Sequence, residues 1–173
     1  KKDGGVQLAW SDTQLKKEFD MAKTSKNFKA APGTTYGFTC SRMSDVIVVG
    51  MGEKSKAKAE GIRRATAHAL MAVSGGKYNS VSIDAASFNA INKLGDTAGL
   101  INEALIMTGY KFDKYFKETP KESFKDICIY ISDKKAKKQV EKIEDTSKNL
   151  ADSVNFCRDL VNEAPNVLHS EEY

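Results

Sequence analysis

The chain has 173 residues, of which 40 % are hydrophobic and 29 % charged, the composition of one ordinary globular domain long enough to bury a core. Its 27 basic and 23 acidic side chains leave a net charge of +4; the excess lysine lies in residues 111–125 and 134–142 among Asp and Glu, as on solvated helix faces. No apolar run approaches the ~18 residues of a membrane span, no signal-like stretch opens the chain, and three scattered cysteines form neither a zinc motif nor a disulfide framework, so a soluble intracellular protein is expected.

In chain order, Val6–Trp10 reads as a short strand, and Asp12 is placed to cap a helix carrying Leu15, Phe19 and Ala22. Thr34–Cys40 (TTYGFTC) is rich in strand formers. Asp45–Gly50 (DVIVVG) is a continuous apolar run of the buried-strand type. Lys56–Ser74 follows as a helix with Ile62, Ala65, Thr66, Ala69, Leu70 and Val73 on one face, stopped by Gly75-Gly76. Ser80–Asp84 (SVSID) is the next strand. Thr97–Thr108 is an amphipathic helix with Ile101, Ala104, Leu105 and Thr108 along one side. Ile127–Ile131 (ICIYI) is the last strand. Asp133 then stands as N-cap to a helix of about 134–164. Alternating strands and helices define an α/β class with helices on both faces of a sheet.

The terminal helix is long for such a domain. Val140, Ile143, Ser147, Leu150, Val154, Cys157 and Val161 recur at steps of three and four, one stripe expected to lie on the domain. Phe156 and Leu160 open a second apolar face, confined to the C-terminal half. Roughly thirty residues at ~1.5 Å each span ~45 Å, more than the width of a small sheet. The second face calls for another partner.

Two stretches invite a ligand. Gly50-Met51-Gly52-Glu53-Lys54-Ser55 places glycines between strand and helix, where exposed amides can cradle phosphate. The dinucleotide fingerprint would need a third glycine at Ser55, and GxxxxGK[ST] is absent. Glycines for a tight turn are the simpler reading. Gly109–Phe116 (GYKFDKYF) interleaves aromatics and lysines as a base-stacking surface would. The structural alternative makes Gly109 a helix C-cap, folds Tyr110, Phe112 and Tyr115 over the sheet edge, and has Asp113 accept backbone amides in the turn. Cys40, Cys128 and Cys157, each in an apolar segment, read as buried thiols; His68 lies off its helix's apolar stripe and His169 near the chain end. No nucleophile–base pair or carboxylate cluster is spaced for catalysis, so no catalytic, cofactor-binding or metal-binding residue is assigned.

"GYKFDKY" (Gly109–Tyr115) and "NFCRDLVNEAPNVL" (Asn155–Leu168) together resemble the paired signatures of the leucyl aminopeptidase (cytosol aminopeptidase) family. "VIVVGMGE" (Val46–Glu53) with "GIRRATAHAL" (Gly61–Leu70) is similar to its earlier strand–turn–helix. The resemblance runs from about Asp45 to the end and leaves residues 1–44 unaligned. It implies a macro-domain-like three-layer α/β/α sandwich with a mixed sheet over residues 1–133, a long helix over 134–164 leading to a catalytic domain, and the first residues of that domain at 165–173. It also implies a full-length cytoplasmic metallo-aminopeptidase that removes N-terminal amino acids from peptides. Two divalent ions (Zn or Mn) would sit in the C-terminal domain, and the full-length protein would be a homohexamer. The family's metal-binding motif of the NTDAEGRL type is absent from this chain, so no catalytic residue is carried over. This half would serve assembly and active-site access, with the C-terminal catalytic domain as its partner. A macro-like nucleotide or ADP-ribose module and a basic nucleic-acid-binding element stand as alternative readings.

Overall fold

The computed structural model describes residues 13–26, 28–41, 45–74, 78–88, 94–117, 126–131 and 134–168. The expected strand at Val6–Trp10, the caps at Asp12 and Asp133, the Gly75-Gly76 stop and His169 lie outside the described residues. Helix α1 spans Thr13–Lys26, strand β1 Thr35–Thr39, β2 Asp45–Val49, α2 Ala59–Ser74, β3 Ser80–Asp84, α3 Leu94–Gly109, β4 Asp126–Tyr130 and α4 Lys134–Asn162. The α/β class read from the alternation holds, and every described element lies within a few residues of its expected place.

The four strands pair as two small sheets among the described residues. β1 and β2 are antiparallel, with Thr35 opposite Val49 and Thr39 opposite Asp45. β3 and β4 are parallel, with Ser80 beside Asp126 and Asp84 beside Tyr130. The period-two alternation of β1 turns Tyr36 and Phe38 inward. There they meet Phe19 of α1, which is fully buried, and Phe28. Ring centroids in this cluster are 5.4–6.4 Å apart, and Phe19 meets Phe28 and Tyr36 edge-on, the arrangement the ring quadrupole favours.

A second core lies between α2, α3 and the parallel pair. Ile62, Ala85, Leu100 and Ile101 form its centre, with Met51, Ile83, Phe88, Leu105, Ile129 and Ile131 packed around them. α2 buries Ile62, Ala65, Thr66, Leu70 and Val73, five of the six residues expected to face inward; Ala69 is only half-buried. Arg63 of α2 reaches the nearly buried Glu103 of α3 at 2.6–2.7 Å, so the one carboxylate on that inner face is paired. Asp84 ends β3 by accepting the Ala86 amide at 2.9 Å; burial holds its carboxyl above the ordinary range, and the Ala86 bond offsets part of that shift.

α4 packs on α3 along a row that runs from Ile143 through Ser147 to Asn155 and Arg158. Gly99 permits the approach: a Cβ there would sit 2.5 Å from Ile143 Cγ2. Ser147 is buried at the contact, where its hydroxyl accepts from Asn102 Nδ2 at 2.9 Å and donates to the Glu144 carbonyl. Ala151 is fully buried.

The expected stripe does not follow the contact. From Ser147 the packed ridge runs through Ala151 and Asn155, in steps of four, whereas Leu150, Val154 and Val161 are 48 %, 37 % and 82 % exposed. Steps averaging 3.5 residues drift backward around a 3.6-residue helix, and steps of four drift forward, so the two rows diverge after one turn.

Candidate functional site

A phosphate ligand at the glycine loop would need its backbone amides free. The Gly50 amide donates to the Thr34 carbonyl at 2.7 Å and the Gly52 amide to the Ala30 carbonyl at 3.0 Å, while the Gly50 carbonyl accepts from Gly33. A Cβ on Gly50 would lie 2.2 Å from the Ala31 carbonyl oxygen, and one on Gly52 would lie 2.8 Å from the Pro32 ring. Gly52 also takes φ +71, a left-handed conformation that side chains disfavour. These glycines are required because the 30–34 loop crosses directly over them. Both glycine amides are already satisfied by protein carbonyls, and His68 stands over Gly33 on the same side. The turn reading of Gly50–Ser55 therefore accounts for the local geometry.

The second locus joins Gly109–Phe116 to the Asn155–Leu168 segment. Gly109–Phe116 leaves α3 and lies along the C-terminal half of α4, not over a sheet edge. Tyr110 donates its hydroxyl to Asp159 at 2.7 Å and accepts from Asn162. The Arg158 guanidinium stacks 3.9 Å above the Tyr110 ring. Lys114 Nζ meets Glu163 at 2.5 Å, and Tyr115 donates its hydroxyl to the other oxygen of the same carboxylate. Phe112 packs edge-on to Tyr115.

Glu163, 11 % exposed, also accepts the amide of Ala164. The hydrogen bonds from Lys114, then Tyr115, then that amide lower its pKa to about 2, and the same contact raises that of Lys114. Tyr110, Phe112, Lys114 and Tyr115 thus have partners within the molecule, while Phe116 is 68 % exposed. Asp113 contributes its backbone carbonyl, accepting from the Phe116 amide.

The end of α3 shows what the sequence left hidden. Gly109 has no left-handed φ and an added Cβ would touch nothing, so it is not the expected C-cap. The orphan carbonyls of the last turn are instead met from α4: Arg158 Nη1 donates to the Met107 carbonyl at 2.8 Å and Asn155 Nδ2 approaches that of Ile106 at 3.5 Å. Asn155, Arg158, Asp159 and Glu163 form one polar ridge whose partners lie about fifty residues earlier in the chain.

Beside this ridge an open groove of about 380 Å³ is lined by Phe156, Leu160, Val167 and Leu168 together with Lys114, Asp159 and Glu163. Phe156 is 61 % exposed. Cys128 and Cys157 are exposed as well; only Cys40 is the buried thiol expected of all three. Among the described residues no group of three or more His, Cys, Asp and Glu is placed to hold a metal ion. None of the described helices is long and apolar enough to cross a membrane.

The fold and this locus define an α/β domain whose last helix is locked at its far end and carries an open apolar groove there. Residues 4–120 match the profile of the cytosol aminopeptidase family, N-terminal domain, and the chain belongs to that family. The match extends the likeness across most of residues 1–44, which the motifs alone had left unaligned.

A protein named probable cytosol aminopeptidase from Persephonella marina is 30 % identical over 161 residues, covering 92 % of this chain and 31 % of that protein. A mutant of tomato leucine aminopeptidase superposes with a TM-score of 0.74 at 14 % identity, over 99 % of this chain and 35 % of that one. The bottromycin maturation enzyme BotP, solved in complex with Mn, gives 0.69 at 17 % identity, over 97 % and 33 %. At those identities the two structures establish a shared fold. The chain spans about a third of the length of each of the three.

Proposed function

We propose that the chain is the non-catalytic N-terminal domain of a leucyl aminopeptidase, and that the Phe156–Leu160 groove is where the remainder of the protein docks. In this reading residues 1–133 form a macro-like domain, 134–164 the connecting helix and 165–173 the first residues of the catalytic domain. The full-length protein, a cytoplasmic homohexamer, would remove N-terminal amino acids from peptides with two divalent ions held in the C-terminal domain. The described residues offer those ions no ligand cluster, and no step of the reaction is assigned to them. Their part is to present the groove in a fixed orientation and to support assembly and access to the active sites.

The groove is the observation that carries this reading. It opens at the end of α4, where the Lys114–Tyr115–Glu163 contacts fix the direction in which the chain leaves the domain. Burial of a side chain such as Phe156 or Leu160 is worth roughly 1.5–3 kcal/mol, which gives a docking domain something to gain. The satisfied amides of Gly50 and Gly52 leave the nucleotide reading without support.

The test is association in trans with the remainder of the same polypeptide, produced separately. The expected result is binding that Phe156→Asp weakens by at least about tenfold, as an unpaired buried charge must. No association, or association indifferent to Phe156→Asp, would contradict the proposal.

A further inference from the structure

The groove is built from two parts of the chain. Phe156, Leu160, Val167 and Leu168 belong to α4 and the turn after it, whereas Lys114 comes from the segment that leaves α3 at Gly109. Residues 110–117 contain neither helix nor strand, so no backbone ladder sets their place on α4. Side chains anchor them at two points. Lys114 and Tyr115 meet Glu163, yet both are more than half exposed. Tyr110 is half-buried and has three partners, Asp159 and Asn162 at its hydroxyl and Arg158 over its ring. An exposed ion pair contributes little by itself, because water screens it and two long side chains must be ordered. The Glu163 contact therefore depends on the Tyr110 anchor to bring its partners near.

Arg158 ties that anchor to the end of α3. Its Nη1 donates to the Met107 carbonyl at 2.8 Å and to Asn155 Oδ1 at 3.3 Å, while the guanidinium lies 3.9 Å from the centre of the Tyr110 ring. One group thus holds both the last turn of α3 and the first ring after it. A guanidinium can donate at its edge while its face covers a ring; an ammonium cannot do both. Arg158 itself does not line the groove. We infer that Arg158 is a positioning residue for the groove: by holding Tyr110 it places Lys114 and Tyr115 on Glu163, and so assembles the Lys114 wall. The inference rests on the docking reading only for what the groove receives.

Arg158→Lys and Tyr110→Leu, made in this chain, should act alike. In each, the carbon-13 signal of the Glu163 carboxyl should titrate nearer 4.5 than the about 2 of wild type, and the double variant should move it no further. At neutral pH, amides at 159–163 should exchange at least about tenfold faster, while those at 147–151 on the packed row keep their rates. Arg64→Lys, at an arginine of α2 paired with Glu60, should change neither. An arginine that only stabilised the fold would speed exchange along all of α4 and leave Glu163 where it is. That result, or a Glu163 that titrates near 2 in both variants, would overturn the inference. In trans, Arg158→Lys should weaken binding of the remainder of the polypeptide by at least about fivefold, since the groove is no longer pre-organised. Binding that Phe156→Asp weakens and Arg158→Lys leaves unchanged would also overturn it. Absence of binding by the wild-type chain would contradict the docking reading alone, because titration and exchange are read on this chain by itself.

Discussion

Two helical glycines provide a test of opposite signs for the α3–α4 contact. In an exposed helix interior, Gly→Ala stabilises by about 1 kcal/mol because glycine loses more backbone freedom on folding. At Gly61 of α2 the added Cβ would lie 3.5 Å from the flexible end of Met51, an ordinary contact. Gly61→Ala should therefore stabilise, by about 0.5 kcal/mol so near the helix start. At Gly99 of α3 the same Cβ meets Ile143 Cγ2 at 2.5 Å. Ile143 is branched at Cβ and stiff at χ1, so it cannot turn away, and α4 must shift. Overpacking of this kind costs about 1–3 kcal/mol; set against the propensity gain, Gly99→Ala should destabilise by about 1 kcal/mol. Urea unfolding of the two variants and wild type measures the difference, and about 1 kcal/mol also corresponds to a Tm shift of about 2–4 °C at this size. Ile143→Ala should cost less in the Gly99→Ala background than in wild type, since it removes the clash. A Gly99→Ala protein as stable as Gly61→Ala would refute close packing of α4 on α3.

The glycine loop should bind no phosphate ligand: calorimetry with ADP-ribose, ATP and NAD should show nothing tighter than ~1 mM, and a micromolar signal abolished by Gly52→Val would restore that reading. Glu163 has a folded-state pKa lowered from 4.5 to about 2, so its contribution to stability is present above 4.5 and disappears as pH falls through about 2. Glu163→Gln should accordingly be less stable than wild type at pH 7, with the two denaturation curves converging toward pH 2. A gap that persists unchanged at pH 2 would mean that the carboxylate's charge is not what holds Lys114 and Tyr115.

Elements with strong local patterns were legible in the sequence. The apolar run of β2, the strand-forming residues of β1 and the inward row of α2 each lie where composition and spacing put them. Glycines 50 and 52 lie in the strand-to-helix connection as expected, but what requires them is the 30–34 loop crossing over them, which the local sequence does not show. What stayed hidden depends on pairs far apart in the chain. The Gly109–Phe116 segment is drawn to α4 by partners about fifty residues later, and nothing local in it distinguishes that from folding over a sheet edge. The stripe on α4 has the right period for a packed face. Which part of it is packed was decided by Gly99 and by side-chain capping of the Ile106 and Met107 carbonyls, neither visible in α4 itself. Cys128 and Cys157 lie in apolar stretches yet are exposed, because a strand or helix that buries one face leaves the other in solvent.

The central claim is that this chain is the non-catalytic part of an aminopeptidase, and hydrolysis of leucine-p-nitroanilide tests it most directly. The purified chain, assayed alone and with added Zn or Mn, should release no p-nitroaniline above the protein-free blank. Hydrolysis that scales with chain concentration, co-purifies with the 19.0 kDa species and is abolished by a chelator would contradict the account.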